Sequence, residues 1–241
     1  MKLRLDVELV RRGLVASRSQ AEQEIEFGNV TVDGRIMKKT SFLVDDHTKL
    51  RLIKKNPYVS RAGLKLESVA AKLKLDFKGR LVLDVGSSTG GFSDYALQHG
   101  AKHVVAVDVG TEQLHPKLRL DPRIELHEQT DIRSFDGSGR KFDIVVADVS
   151  FISLREILPA VLKLATPSTQ IVAMCKPQFE AGANQTNKGV VKNSRLRSDI
   201  LQAFEKWLTA NGFVIRAKAD SSVAGEKGNL ERFYLLSLAK S

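Results

Sequence analysis

A carboxylate and an amine follow two apolar runs in the second half of the sequence. Asp148 comes directly after Ile144–Ala147, and Lys176 comes after the run at 171–174. If these runs are adjacent parallel strands, both side chains face one crevice beyond the carboxyl ends of the strands. A lysine among other charges can orient or deprotonate a hydroxyl group, which is a poor nucleophile until its proton is removed. The pair therefore favours chemistry on a hydroxyl acceptor.

A glycine-rich turn lies between two further apolar runs in "LVLDVGSSTGGFSDYALQHGAKHVVAVDVG", residues 81–110. Its glycines let the backbone pass close to a ligand and start a helix whose free N–H groups face that ligand. Asp108 ends the second run, where its carboxylate can accept hydrogen bonds from ribose hydroxyls. The spacing is neither G-x-G-x-x-G nor a Walker loop, which disfavours a nicotinamide cofactor and ATP. The turn favours a nucleoside cofactor, and a tight packing turn is the alternative.

The elements around these residues alternate between apolar runs and helical patterns. The runs are short and rich in β-branched residues, as expected of strands buried on both faces. They lie at 81–85, 103–107, 144–147, 171–174, 213–215 and 233–238. This alternation predicts an α/β fold with a doubly wound, largely parallel sheet. Ligands of such sheets bind where the strand order reverses, and the turn after the first strand is the usual place.

The first 60 residues form a separate unit in the sequence. Two short helical patterns come first, each ended by a glycine, and an alternating run then reaches the hairpin signal Asp33-Gly34. A last alternating run lies at 49–53. The pattern predicts a small α+β domain over residues 1–59, a linker at about 54–60, and a second domain over residues 60–241.

Positive charge favours an anionic partner. The 241 residues carry 38 Lys and Arg against 28 Asp and Glu, a formal net charge of +10. The net positive charge per residue is larger in the N-terminal unit than in the rest of the chain. Arg4, Arg11, Arg12 and Arg18 lie on or beside the two predicted N-terminal helices, where guanidinium groups can bind phosphates bidentately. A solvated basic surface without a specific ligand is the alternative.

Several other classes of protein are disfavoured. The single cysteine, Cys175, cannot form an internal disulfide, and it points away from Lys176 along an alternating strand, so it is not an obvious nucleophile. The N-terminus has neither a signal-peptide nor a transit-peptide pattern, and no apolar run approaches the ~18 residues of a membrane span. We therefore expect a cytoplasmic protein without stable membrane association.

The N-terminal segment is similar to a known RNA-binding domain. The stretch "RLDVELVRRGLVASRSQAEQEIEFGNVTVDG" has an arginine and an aspartate opening the first helix, a Ser-Arg pair opening the second, and a Gly-x-Val-x-Val-x-Gly hairpin. In these features it resembles the alpha-L RNA-binding domain. The resemblance implies binding to structured RNA.

Further motifs connect the whole chain to one family. "DVGSSTGGF" before "VVAVDVG" resembles S-adenosylmethionine-dependent methyltransferases, and "VSRAGLKLE", "DIVVADVSFISL", "KPQFEAG" and "GNLERF" resemble the TlyA family of hemolysin-like ribosomal RNA ribose methyltransferases. The resemblance implies a Rossmann-like methyltransferase sheet, S-adenosylmethionine as cofactor, no catalytic metal, and cytidine riboses of ribosomal RNA or ribosomal subunits as substrate. The implied cofactor-binding residues are Gly86, Ser87, Ser88, Gly90, Gly91, Phe92, Asp108, Val109, Asp131, Ile132 and Asp148.

The resemblance also implies a Lys-Asp-Lys-Glu set, which maps onto Lys65, Asp148, Lys176 and Glu231. In this interpretation Lys176 is the base, and Lys65 and Glu231 tune its proton affinity and place the ribose. The sequence "DVSF" at 148–151 lacks the Pro-Pro-aromatic pattern of methyltransferases that act on exocyclic nitrogens, which agrees with a hydroxyl acceptor. Taken singly, Lys65 also fits an exposed helix position, Glu231 a solvated residue before a strand, and Asp148 a helix cap.

Two loops and two other functions leave alternatives open. Lys188 and Lys192, in the loop at 187–197, can clamp RNA over the cleft or lie in a solvated turn before a helix. The loop before Glu231, "SSVAGEKGN", lacks a proline expected from the family, which leaves the rigidity of that loop open. A non-catalytic RNA-binding or ribosome assembly factor is a second hypothesis for the chain. A membrane-active hemolysin is a third, although the sequence has no inserting segment.

Overall fold

The computed structural model describes residues 2–26, 28–53, 56–181, 190–191, 193–225 and 228–239. The chain divides after Pro57 into two units, Met1–Pro57 and Tyr58–Ser241. The N-terminal unit has one hydrophobic cluster, and the C-terminal unit has one on each side of its sheet.

The N-terminal unit combines two short helices with five short strands. They are α1 (Leu5–Arg11), α2 (Arg18–Glu26), β1 (Leu3–Arg4), β2 (Val30–Val32), β3 (Arg35–Ile36), β4 (Leu43–Val44) and β5 (Leu50–Leu52). β2 lies between β3 and β5 in an antiparallel sheet, and β1 pairs with β4. The predicted hairpin joins β2 to β3, and Asp33 and Gly34 have the positive φ, 49° and 81°, that a type I′ turn requires. The β1–β4 pair was not predicted, because two-residue strands leave no periodicity in a sequence.

The C-terminal unit is a seven-stranded sheet with helices on both faces. Its strands are β6 (Leu81–Val85), β7 (His103–Val107), β8 (Ile124–His127), β9 (Ile144–Ala147), β10 (Gln170–Cys175), β11 (Phe213–Asp220) and β12 (Arg232–Leu238). Its helices are α3 (Arg61–Leu73), α4 (Gly91–Gln98), α5 (Pro116–Arg119), α6 (Leu154–Leu164), α7 (Pro177–Glu180) and α8 (Ser194–Ala210), with a 3-10 turn at Gly137–Gly139.

The strand order of this sheet is β11-β12-β10-β9-β6-β7-β8. β6 to β10 run parallel to one another, and β12 is antiparallel to both of its neighbours. The chain leaves β6 toward β7 and β8 and returns to β9 on the opposite side, so the strand order reverses at β6. α3 and α4 pack on one face of the sheet, and α6 and α8 pack on the other. The predicted doubly wound, Rossmann-like α/β fold is confirmed.

Both edge strands of the sheet differ from the sequence prediction. β8 was not among the predicted apolar runs, because Glu125 and His127 alternate with its apolar residues. β11 continues past the predicted 213–215 to Asp220, and Arg216 and Lys218 within it are exposed. Edge strands expose part of their surface to water, so polar residues interrupt the apolar pattern by which buried strands are recognised.

Candidate functional sites

Asp148 and Lys176 form an ion pair at the carboxyl edge of the sheet. Each is the first residue after its strand, and β9 and β10 are parallel neighbours in which Ala147 lies opposite Ala173. The Lys176 Nζ atom lies 2.6 Å from Asp148 Oδ1 and donates a hydrogen bond of 2.6 Å to Ser150 Oγ. Both side chains of the pair are mostly buried, at 11% and 17% exposed. The structure therefore brings together the amine and carboxylate singled out from the sequence.

Lys65 and Glu231 form a second buried ion pair. Lys65 lies on α3 and Glu231 directly precedes β12, and their Nζ and Oε1 atoms are 2.9 Å apart. Burial raises the pKa of Glu231, and the positive charge of Lys65 opposes that rise. The charges of Asp148 and Lys176 also act on the Glu231 pKa, in opposite directions. The two ion pairs therefore belong to one electrostatic cluster.

Two adjoining cavities lie at the switch point, where β6, β7 and β9 end. The larger has a volume of about 520 Å³ and the smaller about 130 Å³. Gly86, Ser88, Asp148 and Ser150 line both, and Lys176 lines the smaller one. The predicted cofactor-binding residues that line at least one cavity are Gly86, Ser87, Ser88, Phe92, Asp108, Val109, Asp131, Ile132 and Asp148.

The three glycines of the turn are required for different reasons. Gly86 has φ +77°, and a Cβ on it would lie 2.6 Å from the Asp148 carbonyl oxygen. A Cβ on Gly90 would lie 2.4 Å from Leu118, and one on Gly91 would lie 2.2 Å from the Ser60 hydroxyl. Gly90 and Gly91 thus make room for protein atoms at the start of α4. The alternative of a tight packing turn describes Gly90 and Gly91, whereas Gly86 brings the glycine-rich turn against the Asp148 backbone at the cavity.

Asp108 and Asp131 both lie on the larger cavity, and protein groups already contact both carboxylates. The Asp108 oxygens accept hydrogen bonds from the backbone N–H groups of Ser88 (2.8 Å) and Gly110 (2.7 Å), which fixes the carboxylate at the cavity wall. Asp131 is paired with Arg133 at 2.6 Å, and this side-chain hydrogen bond lowers the Asp131 pKa. Next to them, Ile132 is buried and Val109 is exposed at the rim.

Unpaired polar atoms in the smaller cavity mark a site for a polar ligand group. Asp84, which was not among the predicted site residues, accepts hydrogen bonds from the Ser93 N–H and hydroxyl through Oδ2. Burial raises its pKa to about 7, with Ser93 opposing and the Asp148 charge adding to the rise. Within the described residues, Asp84 Oδ1 and the hydroxyls of Ser87 and Ser60 are buried without a hydrogen-bond partner. A ligand with several hydrogen-bonding groups would satisfy them.

An exposed aromatic residue lies beside the same site. Phe151 is 92% exposed, lines the larger cavity, and has a positive φ of 65°, which is uncommon for a bulky residue. Its ring lies 5.3 Å from that of Phe179, and the Phe179 ring lies 5.9 Å from Lys176 Nζ. The sequence prediction missed Phe151, because the type of a residue does not show that its side chain is exposed.

The predicted RNA-binding arginines of the N-terminal unit form two groups on two buried carboxylates. Arg4 and Arg18 donate to Asp6, at 2.9 Å and 2.8 Å. Arg11 and Arg12 donate to Glu8, at 2.7 Å and 2.6 Å. Hydrogen bonds from the arginines lower the pKa of Asp6 and of Glu8 to about 2.

Arg12 differs from the other three arginines in its accessibility. Its two Nη atoms donate to the carbonyl oxygens of Thr48 and Asp45 at 2.8 Å, and its side chain is only 24% exposed. The side chains of Arg4, Arg11 and Arg18 are 42%, 51% and 57% exposed. Arg12 therefore ties α1 to the turn before β5 and is less available to a ligand than the others.

The loop before α8 is only partly described. Lys188 and Lys192 lie outside the described residues. Arg195 and Arg197, which fall within the predicted loop at 187–197, lie in the first turn of α8; Arg195 is exposed, whereas Arg197 donates to Asp220 at 2.7 Å.

The fold and the site define a class of protein. A doubly wound sheet with a cavity at its switch point is a Rossmann-like ligand-binding fold, and the paired amine and carboxylate beside that cavity are groups that can take part in proton transfer. Residues 58–239 match the FtsJ-like methyltransferase family, and residues 3–49 match the S4 domain. The chain belongs to the FtsJ-like methyltransferase family and carries an S4 domain at its N-terminus.

Known relatives match nearly the whole chain. A 16S/23S rRNA (cytidine-2′-O)-methyltransferase TlyA from Mycobacterium tuberculosis is 40% identical over 240 residues, 98% of this chain and 90% of that protein. A 23S rRNA (cytidine-2′-O)-methyltransferase TlyA from Campylobacter jejuni is 37% identical over 246 residues, 93% of this chain and 96% of that protein. The solved structure of a hemolysin-named protein from Streptococcus thermophilus has 39% identity and a TM-score of 0.78, and covers 100% of this chain and 90% of its own. The resemblance stated from the sequence motifs is confirmed.

The hemolysin name of that structural relative raises the question of a membrane segment. Throughout the part of the chain that the structure describes, no helix combines the length and the apolar character needed to cross a bilayer.

Proposed function

We propose that this protein transfers a methyl group from S-adenosylmethionine to a ribose 2′-hydroxyl of ribosomal RNA, with cytidine as the modified nucleoside. The observation that carries the proposal is the 2.6 Å pair of Lys176 and Asp148 on the switch-point cavity. An amine held beside a carboxylate suits proton removal from a hydroxyl acceptor. The names of the two TlyA relatives support ribosomal RNA and cytidine ribose as the acceptor.

We propose that the two cavities bind S-adenosylmethionine. Asp108 would accept hydrogen bonds from its ribose hydroxyls, and Asp131 and Ile132 would flank its adenine. The unpaired Oδ1 of Asp84 and the Ser87 hydroxyl would meet the charged and polar methionine end, which carries an ammonium group. When bound, this cofactor supplies an electrophilic methyl group.

The four charged residues divide the remaining work. Lys176 orients the 2′-hydroxyl and accepts its proton, and Asp148 fixes the position of the amine at 2.6 Å. Glu231 precedes β12, which is separated from β9 by β10 alone, and Lys65 reaches it from α3. This second pair adds charge beside the first and places the ribose. A hydroxyl is a weak nucleophile, so alignment and proton removal are what the protein must provide.

The S4 domain would select the RNA. We propose that residues 1–59 act as the RNA-binding domain and residues 60–241 as the methyltransferase domain. Arg4, Arg11 and Arg18 present exposed guanidinium groups whose orientation is fixed by Asp6 and Glu8. Preorganised arginines bind phosphate at a smaller entropic cost than free ones. Arg12 acts chiefly within the fold, and Lys188 and Lys192 remain predicted RNA contacts.

The direct test is methyl transfer to ribosomal subunits. Purified 30S and 50S subunits are incubated with methyl-labelled S-adenosylmethionine and the full chain, and label in the RNA is measured. We expect incorporation with the wild type and a loss of about 10²-fold or more with Lys176→Ala. Absence of label with the wild type on either subunit, or full labelling by Lys176→Ala, would contradict the proposal.

Lys176→Arg distinguishes a base from a fixed charge. Arginine keeps the positive charge but does not release its proton at ordinary pH. A base role predicts near-complete loss of transfer in Lys176→Arg with RNA and cofactor affinities close to wild type. Substantial residual transfer would instead show that Lys176 acts only through its charge.

A further inference from the structure

The hydroxyl of Ser150 is a second oxygen at the Lys176 amine. Lys176 Nζ donates to Ser150 Oγ at 2.6 Å and lies 2.6 Å from Asp148 Oδ1. All three residues line the smaller cavity. Ser150 is exposed and lies two residues after Asp148, in the turn between β9 and α6. One short turn therefore carries both oxygen neighbours of the amine.

The two neighbouring oxygens can determine which way the lone pair of the Lys176 amine points. A lysine that accepts a proton must enter the step as a neutral amine, which has two N–H hydrogens and one lone pair. Among the described residues, Ser150 Oγ accepts a hydrogen bond from the amine and Asp148 Oδ1 lies 2.6 Å from the nitrogen as an ion-pair contact. With an oxygen on each of these two sides, the lone pair is left on the remaining side of the nitrogen. With Asp148 alone, the amine could rotate about its Cε–Nζ bond, and the lone pair would have no fixed direction.

We propose that Ser150 is a positioning residue that directs the lone pair of Lys176 toward the ribose hydroxyl. This inference rests on the proposed function. In the step, the hydroxyl proton moves to Nζ, and the ribose oxygen forms its bond to the methyl carbon. The S–C bond breaks and leaves its electron pair on sulfur, so that a neutral thioether and an ammonium remain. Water removes the extra proton from Nζ before the next turnover.

The surroundings of Ser150 make it a suitable residue to test. Its side chain is exposed, so Ser150→Ala removes little packing, and Ser150→Thr keeps the hydroxyl while adding one methyl group. The matched control is Ser168→Ala, an exposed serine in the turn before β10, at the opposite end of the strand that Lys176 follows. The Ser168 hydroxyl contacts Thr166, at 2.9 Å.

The experiment compares these three variants with the wild type and with Lys176→Ala. Single-turnover methyl transfer to ribosomal subunits gives the rate of the chemical step, steady-state assays give KM for RNA, and calorimetry gives the Kd of S-adenosylhomocysteine. We expect Ser150→Ala to lower the single-turnover rate about threefold to tenfold, the effect of losing one hydrogen bond from a neutral amine. KM and Kd should stay within about twofold of wild type. Ser150→Thr should restore most of the rate, and Ser168→Ala should match the wild type.

The results separate this inference from the proposed function. If Ser150→Ala keeps the wild-type rate while Lys176→Ala is inactive, the function stands and the positioning role of Ser150 is wrong. A raised KM or Kd in Ser150→Ala with an unchanged single-turnover rate would also overturn it, because Ser150 would then be a binding contact. If Lys176→Ala keeps full activity, the active-site assignment is wrong and the inference falls with it.

Discussion

The backbone of Gly86 lies against the backbone of Asp148, so closely that a Cβ on Gly86 would be 2.6 Å from the Asp148 carbonyl oxygen. Gly86 begins the glycine-rich turn after β6, which we propose binds the cofactor, and Asp148 is the carboxylate paired with Lys176. The contact therefore joins the cavity wall to the ion pair. A change in the turn should move the carboxylate as well as the cofactor.

Gly86→Ala should be more damaging than the same substitution at Gly79, a glycine with a similar φ. Gly79 has φ +72°, and no described atom lies within 4 Å of where its Cβ would be. Gly79→Ala should cost about 1–2 kcal/mol of unfolding free energy through backbone strain alone. Gly86→Ala should cost roughly 2 kcal/mol more, because the methyl group meets Asp148, and it should reduce methyl transfer. Urea unfolding and transfer assays measure both, and equal effects of the two variants would show that the Gly86–Asp148 contact is unimportant.

Asp108→Ala should weaken cofactor binding without unfolding the domain. The change removes an acceptor for ribose hydroxyls and the anchor of the Ser88 and Gly110 N–H groups. We expect the Kd of S-adenosylmethionine to rise about tenfold to a hundredfold in calorimetric titration, with a thermal transition that is lowered by the two lost hydrogen bonds but stays cooperative. NAD and ATP should not bind the wild type. Tighter binding of NAD than of S-adenosylmethionine would overturn the cofactor assignment.

Arg18 and Arg12 should respond differently to the same substitution. Arg18→Gln leaves Asp6 paired with Arg4, so the unit should stay folded while the slope of log affinity for ribosomal RNA against log salt flattens by about 1. Arg12→Gln removes hydrogen bonds to Glu8, Thr48 and Asp45 and should cost roughly 1–3 kcal/mol of stability. Filter binding at several salt concentrations and urea unfolding measure the two effects. An unchanged salt slope in Arg18→Gln would mean that the RNA phosphates are bound elsewhere.

The buried carboxyl of Asp84 should make stability depend on pH near neutrality. Burial raises its pKa from 3.8 to about 7, so between these values the unfolded chain is ionised while the folded protein holds the proton. This contribution to stability is fully present below about pH 4 and is lost as pH rises through 7. Urea unfolding from pH 5 to 8 should show a steeper decline for the wild type than for Asp84→Asn. Identical declines would indicate that Asp84 stays ionised in the fold.

The sequence predicts best the residue placements that follow directly from the order and direction of the strands. Asp148 and Lys176 could be paired from the sequence because each follows a buried strand, and parallel strands end at the same edge of a sheet. Lys65 and Glu231 lie 166 positions apart, and only the family resemblance connected them. Their ion pair depends on how α3 packs against β11, the neighbour of β12 in the sheet, which hydrophobic periodicity does not specify.

Side-chain partners were the least predictable feature. The sequence shows Arg4, Arg11, Arg12 and Arg18 as four equivalent cations, whereas the structure commits Arg12 to two carbonyl oxygens. This difference arises from the position of the turn before β5, which the type of a residue does not indicate. The hydrogen bond from Lys176 to Ser150 is of the same kind, because "DVSF" indicates a turn but not the direction of a hydroxyl.

The chemical identity of the methylated nucleoside tests the central claim most directly. Ribosomal RNA labelled by the protein is digested to nucleosides and separated by liquid chromatography with mass spectrometry. The account predicts that the label appears in 2′-O-methylcytidine, and that the modified linkage resists alkaline hydrolysis because its 2′-oxygen is blocked. Label on a cytosine base, on another base, or on protein instead of RNA would contradict the account.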